Sequence, residues 1–288
     1  MANKFFFSLF FSLSIGLNAQ NLQRYTFHSN FESEFFLTEH DGLAKQLMAD
    51  PQVNREEHLS FDATIGDYIS QLSAKRRKFR TQRDFVSAVF YKTHRKFLKR
   101  YRELTSFADM LRTGNYDCLS ATTLYSHLFQ KLSIRHEIVE TNYHIYINVM
   151  LEEGNILIES TDPLYGFVSN TKEIEERLQG FEARNNSNTG KRSYTFKAKL
   201  NDPVTRDELV GLQYYNASIK AYNEHEFGKS AQLLQKALLF RHNARTYEFC
   251  LLLVQTIMND TGMDDNLRSR YVHQLKSLML SDNTLASR

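Results

Sequence analysis

Gly114-Asn115-Tyr116-Asp117-Cys118-Leu119-Ser120-Ala121-Thr122-Thr123-Leu124-Tyr125-Ser126-His127-Leu128-Phe129 decides the reading of this chain. After Cys118, apolar and small residues recur at three- and four-residue spacing, the period of a helix with a buried face, so the cysteine opens a buried helix. A thiol at that position faces free backbone N–H groups and the positive end of the helix, which favour thiolate, the nucleophilic form. Downstream, Glu137–Leu151 alternates apolar with polar or aromatic residues in most places. Glu152-Glu153-Gly154 and then Asn155–Asp162 follow, so the stretch reads as a β-hairpin.

The hairpin loop sets which residues face each other. If Glu152-Glu153-Gly154 is a three-residue loop with Gly154 left-handed, Leu151 faces Asn155 and His144 faces Asp162. Facing side chains have Cβ atoms about 5 Å apart, suited to an imidazole–carboxylate hydrogen bond. A two- or four-residue loop would put His144 and Asp162 on opposite faces. In the three-residue register, Cys118, His144 and Asp162 form the nucleophile, base and orienter of an acyl-transfer site. Asn115, Tyr116 and the Cys118 N–H are the oxyanion candidates.

Gly-Asn-Tyr-Asp-Cys118 before a helix, His144-Ile-Tyr-Ile-Asn-Val149 on a strand and Glu159-Ser-Thr-Asp162-Pro163 at the end of the next resemble the three core motifs of the transglutaminase-like superfamily. The resemblance covers residues 80 to 168. It implies an α+β, papain-like core with an antiparallel sheet and a nucleophile helix, and the roles of nucleophile for Cys118, base for His144 and orienter for Asp162. Ile145-Tyr146 stands where the family usually has Ala-Trp, and the chain has no tryptophan, so the resemblance does not carry over the aromatic wall of the family's substrate cleft or its substrate choice.

The chain has 288 residues, 42% of them hydrophobic and 24% charged, an ordinary globular composition for one or two domains. A net charge of +3 does not argue for a nucleic-acid partner. Two cysteines, Cys118 and Cys250, are too few for a disulfide framework, although a single Cys118–Cys250 bridge is an alternative to a free nucleophile. No histidine–carboxylate cluster has metal-ligand spacing, and neither a metal nor a cofactor is expected.

Met1–Gln20 has Lys4, an uncharged run over Phe5–Leu17 and small residues at Asn18-Ala19, the pattern of a secretory signal peptide cut after Ala19. A run of about 13 apolar residues is too short to span a ~30 Å hydrocarbon layer. The mature protein is expected to be secreted or periplasmic and not membrane-spanning. Residues 20–202 form the expected catalytic domain. A helix is expected over Asp41–Ala49, another from Asp62 with Ile65, Ile69 and Leu72 on one face, and a third over Thr81–Arg102, capped by Thr81 and Asp84. Lys75–Arg102 holds twelve Lys or Arg against one Asp, either a surface for an anionic partner or a solvated face balanced by Glu173–Glu182. A helix at Asn170–Leu178 and a strand at Ser193–Leu200 complete this domain.

Pro203 marks the boundary of a helical region, 203–288. Thr205 and Glu208 cap its first helix. Tyr214, Ala217, Ser218, Ala221, Ser230, Leu234 and Ala237 resemble a tetratricopeptide unit, with His242 where its usual proline would stand. Ala244–Met258 and Asp264–Leu280 give a second helix pair, and two pairs are too few to stand without support from the catalytic domain. A transglutaminase-like core followed by such helices is an arrangement known in that superfamily.

Two functions of different class follow. One is a cysteine-dependent enzyme that cuts or transfers amide or peptide bonds of a protein or peptide substrate through a thioester, by hydrolysis or transamidation. The other is a non-catalytic module that binds a peptide or envelope protein, with the C-terminal helices as a further partner surface.

Overall fold

In a computed structural model, residues 25–36, 38, 42–142, 144–186 and 201–283 are described. The expected signal peptide and the strand at Ser193–Leu200 lie outside them. In chain order come α1 (Asn30–Phe36), α2 (Leu43–Leu47), α3 (Arg55–Lys75), α4 (Gln82–Phe97), β1 (Arg100–Tyr101), α5 (Phe107–Thr113), β2 (Asn115–Tyr116) and α6 (Cys118–Lys131). Then follow β3 (His136–Thr141), β4 (Ile145–Leu151), β5 (Gly154–Ile158), β6 (Phe167–Val168), α7 (Thr171–Asn186) and β7 (Asn201–Val204). Four helices close the described chain: α8 (Arg206–Asn223), α9 (Phe227–Phe240), α10 (Ala244–Asn259) and α11 (Asp265–Asn283).

The fold is mixed α and β: an antiparallel five-stranded sheet, in the order β6-β5-β4-β3-β7, with helices on it and after it. Its two faces carry different apolar sets, as period-2 alternation requires. Ile138, Ile145, Ile147, Val149, Ile156 and Ile158 belong to the main core, which also holds the buried face of α6. Tyr146, Leu157 and Val168 pack with Phe181 of α7 on the other face.

The hairpin register differs from expectation. Leu151 faces Gly154, Val149 faces Ile156 and Ile147 faces Ile158, so the loop is Glu152-Glu153 and Gly154, at φ +111, already belongs to β5. The physical reason is apolar pairing. This register sets isoleucine against isoleucine and valine against isoleucine on the core face, whereas the expected one would bring Glu159 opposite Ile147 there. Contacts from α4 also hold the loop: Arg83 Nη2 donates to Glu153 O at 2.6 Å and the Gln82 N–H to Glu153 Oε1 at 3.2 Å.

Other boundaries move for local reasons. The helix expected from Asp62 begins at Arg55, because Asn54 caps it by accepting from the Glu57 N–H at 2.9 Å. Pro203 lies inside β7 rather than only marking a boundary. β7 is an edge strand beside β3, where a residue without an N–H is tolerated.

The C-terminal helices share the main core with the sheet-bearing part. Gly211 of α8 permits the close crossing with α9, since a Cβ there would lie 2.9 Å from Phe240 Cβ. Ser218 and Ser230 exchange hydrogen bonds across the same contact. Buried ion pairs join the two parts. Glu32 of α1 accepts from Lys236 Nζ at 2.6 Å and from the Tyr214 hydroxyl at 2.7 Å. Glu140 of β3 pairs with Arg241 at 2.7 Å and with Arg245 at 2.8 Å.

Candidate active site

Cys118 is the first residue of α6. Asp117 is its N-cap and forms a capping box with Ser120: the Ser120 N–H donates to Asp117 Oδ1 at 2.7 Å and the Asp117 N–H to Ser120 Oγ at 2.9 Å. This cap is what fixes the cysteine in the first turn. Both cysteines are free thiols. Cys250 is fully buried in α10, with Sγ 4.0 Å from Leu275 O.

His144 leaves the turn between β3 and β4. That turn is tied twice through Thr141, whose N–H donates to His144 O at 2.7 Å and whose hydroxyl oxygen accepts from the His144 N–H at 3.1 Å. The imidazole lies on the Tyr146 side of the sheet, its ring centre 5.2 Å from that of Phe181. Its Nε2 sits 2.5 Å from Glu159 Oε1. The Thr161 hydroxyl donates to the same carboxylate oxygen at 2.6 Å. Burial pushes the Glu159 carboxyl up, but His144, Thr161 and Arg177 together hold it below its ordinary value.

The carboxylate beside His144 is therefore Glu159 and not Asp162, which corrects the register-based assignment. Asp162 Oδ1 accepts from the N–H groups of Leu164 at 3.1 Å and Tyr165 at 2.8 Å, and its Oδ2 lies 3.5 Å from Arg177. It organises the turn after β5. In the observed register Glu159 falls on the same sheet face as His144 and Tyr146. Comparing the apolar pairings of the two possible hairpin registers would have found it in the sequence.

Cys118 and His144 line one cavity of about 540 Å³. One wall is a stripe of α8, Leu212, Tyr215, Asn216, Ile219, Tyr222 and Asn223, spaced to share a helix face. Arg245 and Phe249 of α10 and Tyr101 of β1 also line it, so Tyr101, Phe249 and, from α8, Tyr215 and Tyr222 supply its Tyr and Phe side chains. Asn115 and Tyr116 are not among the lining residues. The Asn115 N–H donates to Thr113 Oγ1 at 3.1 Å and the Tyr116 carbonyl accepts from the Arg102 N–H at 2.8 Å.

The electrostatics at Cys118 oppose the helix-start argument. Burial, then the neighbouring Asp117 charge, push the thiol up to about 12, against the pull of Arg245 and a backbone N–H. Asp117 is itself raised to about 6 by burial, despite its hydrogen bonds. A helix terminus packed among protein groups and carrying a carboxylate cap thus favours thiol, even though the half-buried Cys118 opens on the cavity, and a nearby cation is needed to generate thiolate.

Among the described residues no group of three or more His, Cys, Asp or Glu could hold a metal ion, and no helix is long and apolar enough to cross a membrane. Comparison of the chain with known protein families, curated proteins and solved structures finds no match.

Proposed function

We propose that the protein is a cysteine-dependent acyl-transfer enzyme of transglutaminase-like, papain-like type, with Cys118, His144 and Glu159 as its reacting groups. The observation that carries this reading is the shared cavity: a cysteine at a helix start opens into it together with a histidine whose ring is held by a carboxylate. With Nε2 engaged by Glu159, Nδ1 is the nitrogen that takes the Cys118 proton. The thiolate then attacks an amide or peptide carbonyl, the Cys118 N–H donates to the oxyanion, and His144 returns the proton to the leaving amine. The resulting thioester passes its acyl group to water or to an amine, and the thiol is regenerated. Glu159 keeps the tautomer and stabilises imidazolium, the role the sequence reading gave to Asp162. The Met1–Gln20 pattern adds the reading that this chemistry takes place after export, on a protein or peptide, with the tetratricopeptide-like helices as a second partner surface.

A second reading, a binding module that keeps the fold without turnover, draws on one observation: the thiol of Cys118 is pushed up and not down. Labelling separates the two. Iodoacetamide at neutral pH is expected to modify Cys118 much faster than buried Cys250 in the folded protein, and His144→Asn should slow Cys118 by about 10²-fold, within the range for a positioned base. Labelling of both cysteines only on unfolding would favour the binding module.

A further inference from the structure

α10 begins with a feature that local rules disfavour: Arg245 stands in its first turn, where the helix dipole repels a cation. The side chain is mostly buried, 17% exposed, and reaches away from its own helix into the sheet-bearing part. Its Nη1 lies 2.8 Å from Glu140 Oε1, and its Nη2 donates to Thr141 O at 2.6 Å and also to Asn142 O. Those two carbonyls belong to the turn that delivers His144. Glu140 is held from its other oxygen by Arg241 Nε at 2.8 Å and by the Asn243 carboxamide at 3.2 Å, so the junction of α9 and α10 grips the end of the hairpin. Arg245 also lines the cavity that holds Cys118 and His144.

We propose that Arg245 is a positioning residue of the site: from the C-terminal helices it fixes the turn that carries His144 and places a positive charge facing Cys118. The inference rests on the reading of Cys118 as a nucleophile. It gives the C-terminal helices a part in the chemistry besides any partner surface, since the site lacks both the clamp and this cation without α10. A fork of donors on a rigid plane is what the task needs, because one guanidinium can serve a carboxylate and two carbonyls at once. Among the described residues, the charged or titratable groups that line the cavity with the thiol are Asp117 beside it, Glu103 and Tyr101 from the β1 segment, Glu140 on β3, His144 just before β4 and backed by Glu159, Tyr215 and Tyr222 on α8, and Arg245 on α10. The Asp117 and Glu159 carboxylates raise the thiol, and Arg245 on α10 lowers it.

The test is the rate of iodoacetamide alkylation at Cys118 against pH in the full chain, read by peptide mass, with thermal melts alongside. Arg245→Gln should move the midpoint of the profile up by about one unit, a roughly tenfold slower reaction at pH 7. Arg245→Lys keeps the charge and should stay within about threefold of native, although both variants melt lower because the clamp is lost. A native midpoint in Arg245→Gln, or a midpoint moved as far in Arg245→Lys, overturns the proposal. If Arg245→Gln does not fold, Glu140→Gln replaces it: removing the anion that offsets Arg245 should lower the midpoint and speed alkylation, and an unmoved or raised midpoint overturns the proposal. Failure of the nucleophile reading looks different, because native Cys118 would then react no faster than Cys250.

Discussion

Nε2 of His144 lies 2.5 Å from Oε1 of Glu159, whereas Asp162, three residues further on, directs its carboxylate to the backbone of its own turn and to Arg177. Two carboxylates so close in sequence thus have separable roles. Glu159→Gln keeps the shape and removes the charge that stabilises imidazolium, so turnover, or Cys118 labelling in its absence, should fall by about 10²–10⁴. Asp162→Asn should leave either rate within about threefold and lower the melting temperature slightly, since the lost Arg177 contact is partly exposed. Paired labelling and melting of the two variants checks this, and a larger kinetic loss in Asp162→Asn would return that residue to the site.

Asp117 restrains its neighbour. Its charge is the second cause, after burial, that raises the Cys118 thiol. Asp117→Asn keeps an N-cap acceptor, because asparagine caps as well as aspartate. Alkylation of Cys118 at pH 7 should therefore rise by about three- to tenfold, following the gain in thiolate. A slower reaction would show that the cap geometry outweighs the charge.

The same residue gives a pH signature. Asp117 goes from 3.8 to about 6 on folding, so the folded state holds its proton more tightly than the unfolded chain. Its contribution to stability is full below about pH 4 and is lost as pH rises through about 6, a swing of about 2–3 kcal/mol. Glu159 acts in the opposite sense: lowered on folding, it contributes above the ordinary value of 4.5 and loses that contribution as pH falls. The difference in urea midpoint between native and Asp117→Asn protein at pH 4 and pH 7 isolates the first effect, and native should lose ground to the variant at the higher pH.

Gly166 closes the turn that carries Glu159 back toward β6. The Glu159 N–H donates to Gly166 O at 2.8 Å and the Gly166 N–H to Asp162 O at 3.0 Å. A Cβ at Gly166 would overlap the carbonyl oxygens of Glu159 and Asp162. Gly166→Ala should cost about 1–3 kcal/mol by overpacking and should slow Cys118 chemistry through displaced Glu159. Chemical denaturation with labelling in parallel measures both.

Lys236 and Glu32 are an ion pair with almost no exposure, joining α1 to α9. Lys236→Met leaves a buried carboxylate whose remaining donors include Tyr214, at a cost of about 3–5 kcal/mol. Adding Glu32→Gln should recover a large share of that loss, which a double-mutant cycle of urea midpoints measures.

Local physics was legible in the sequence. The caps at Thr81, Asn170 and Thr205 each rest on a side chain and an N–H three residues away, and all three form. The helix after Cys118 and the hairpin after it were readable for the same reason, since their periodicity is carried by consecutive residues. Which carboxylate meets His144 was a weaker signal, because Glu-Glu-Gly serves a two- or a three-residue loop and only the matching of Ile147 with Ile158 across the sheet selects one. Three facts belong to the tertiary structure alone. The thiol is driven up by burial, a property of everything packed around it. The cavity wall is a face of α8, far along the chain from Cys118. Arg245 reaches the turn before His144 from about a hundred residues downstream, and no spacing rule links the two, because the clamp exists only once the helices have docked on the sheet.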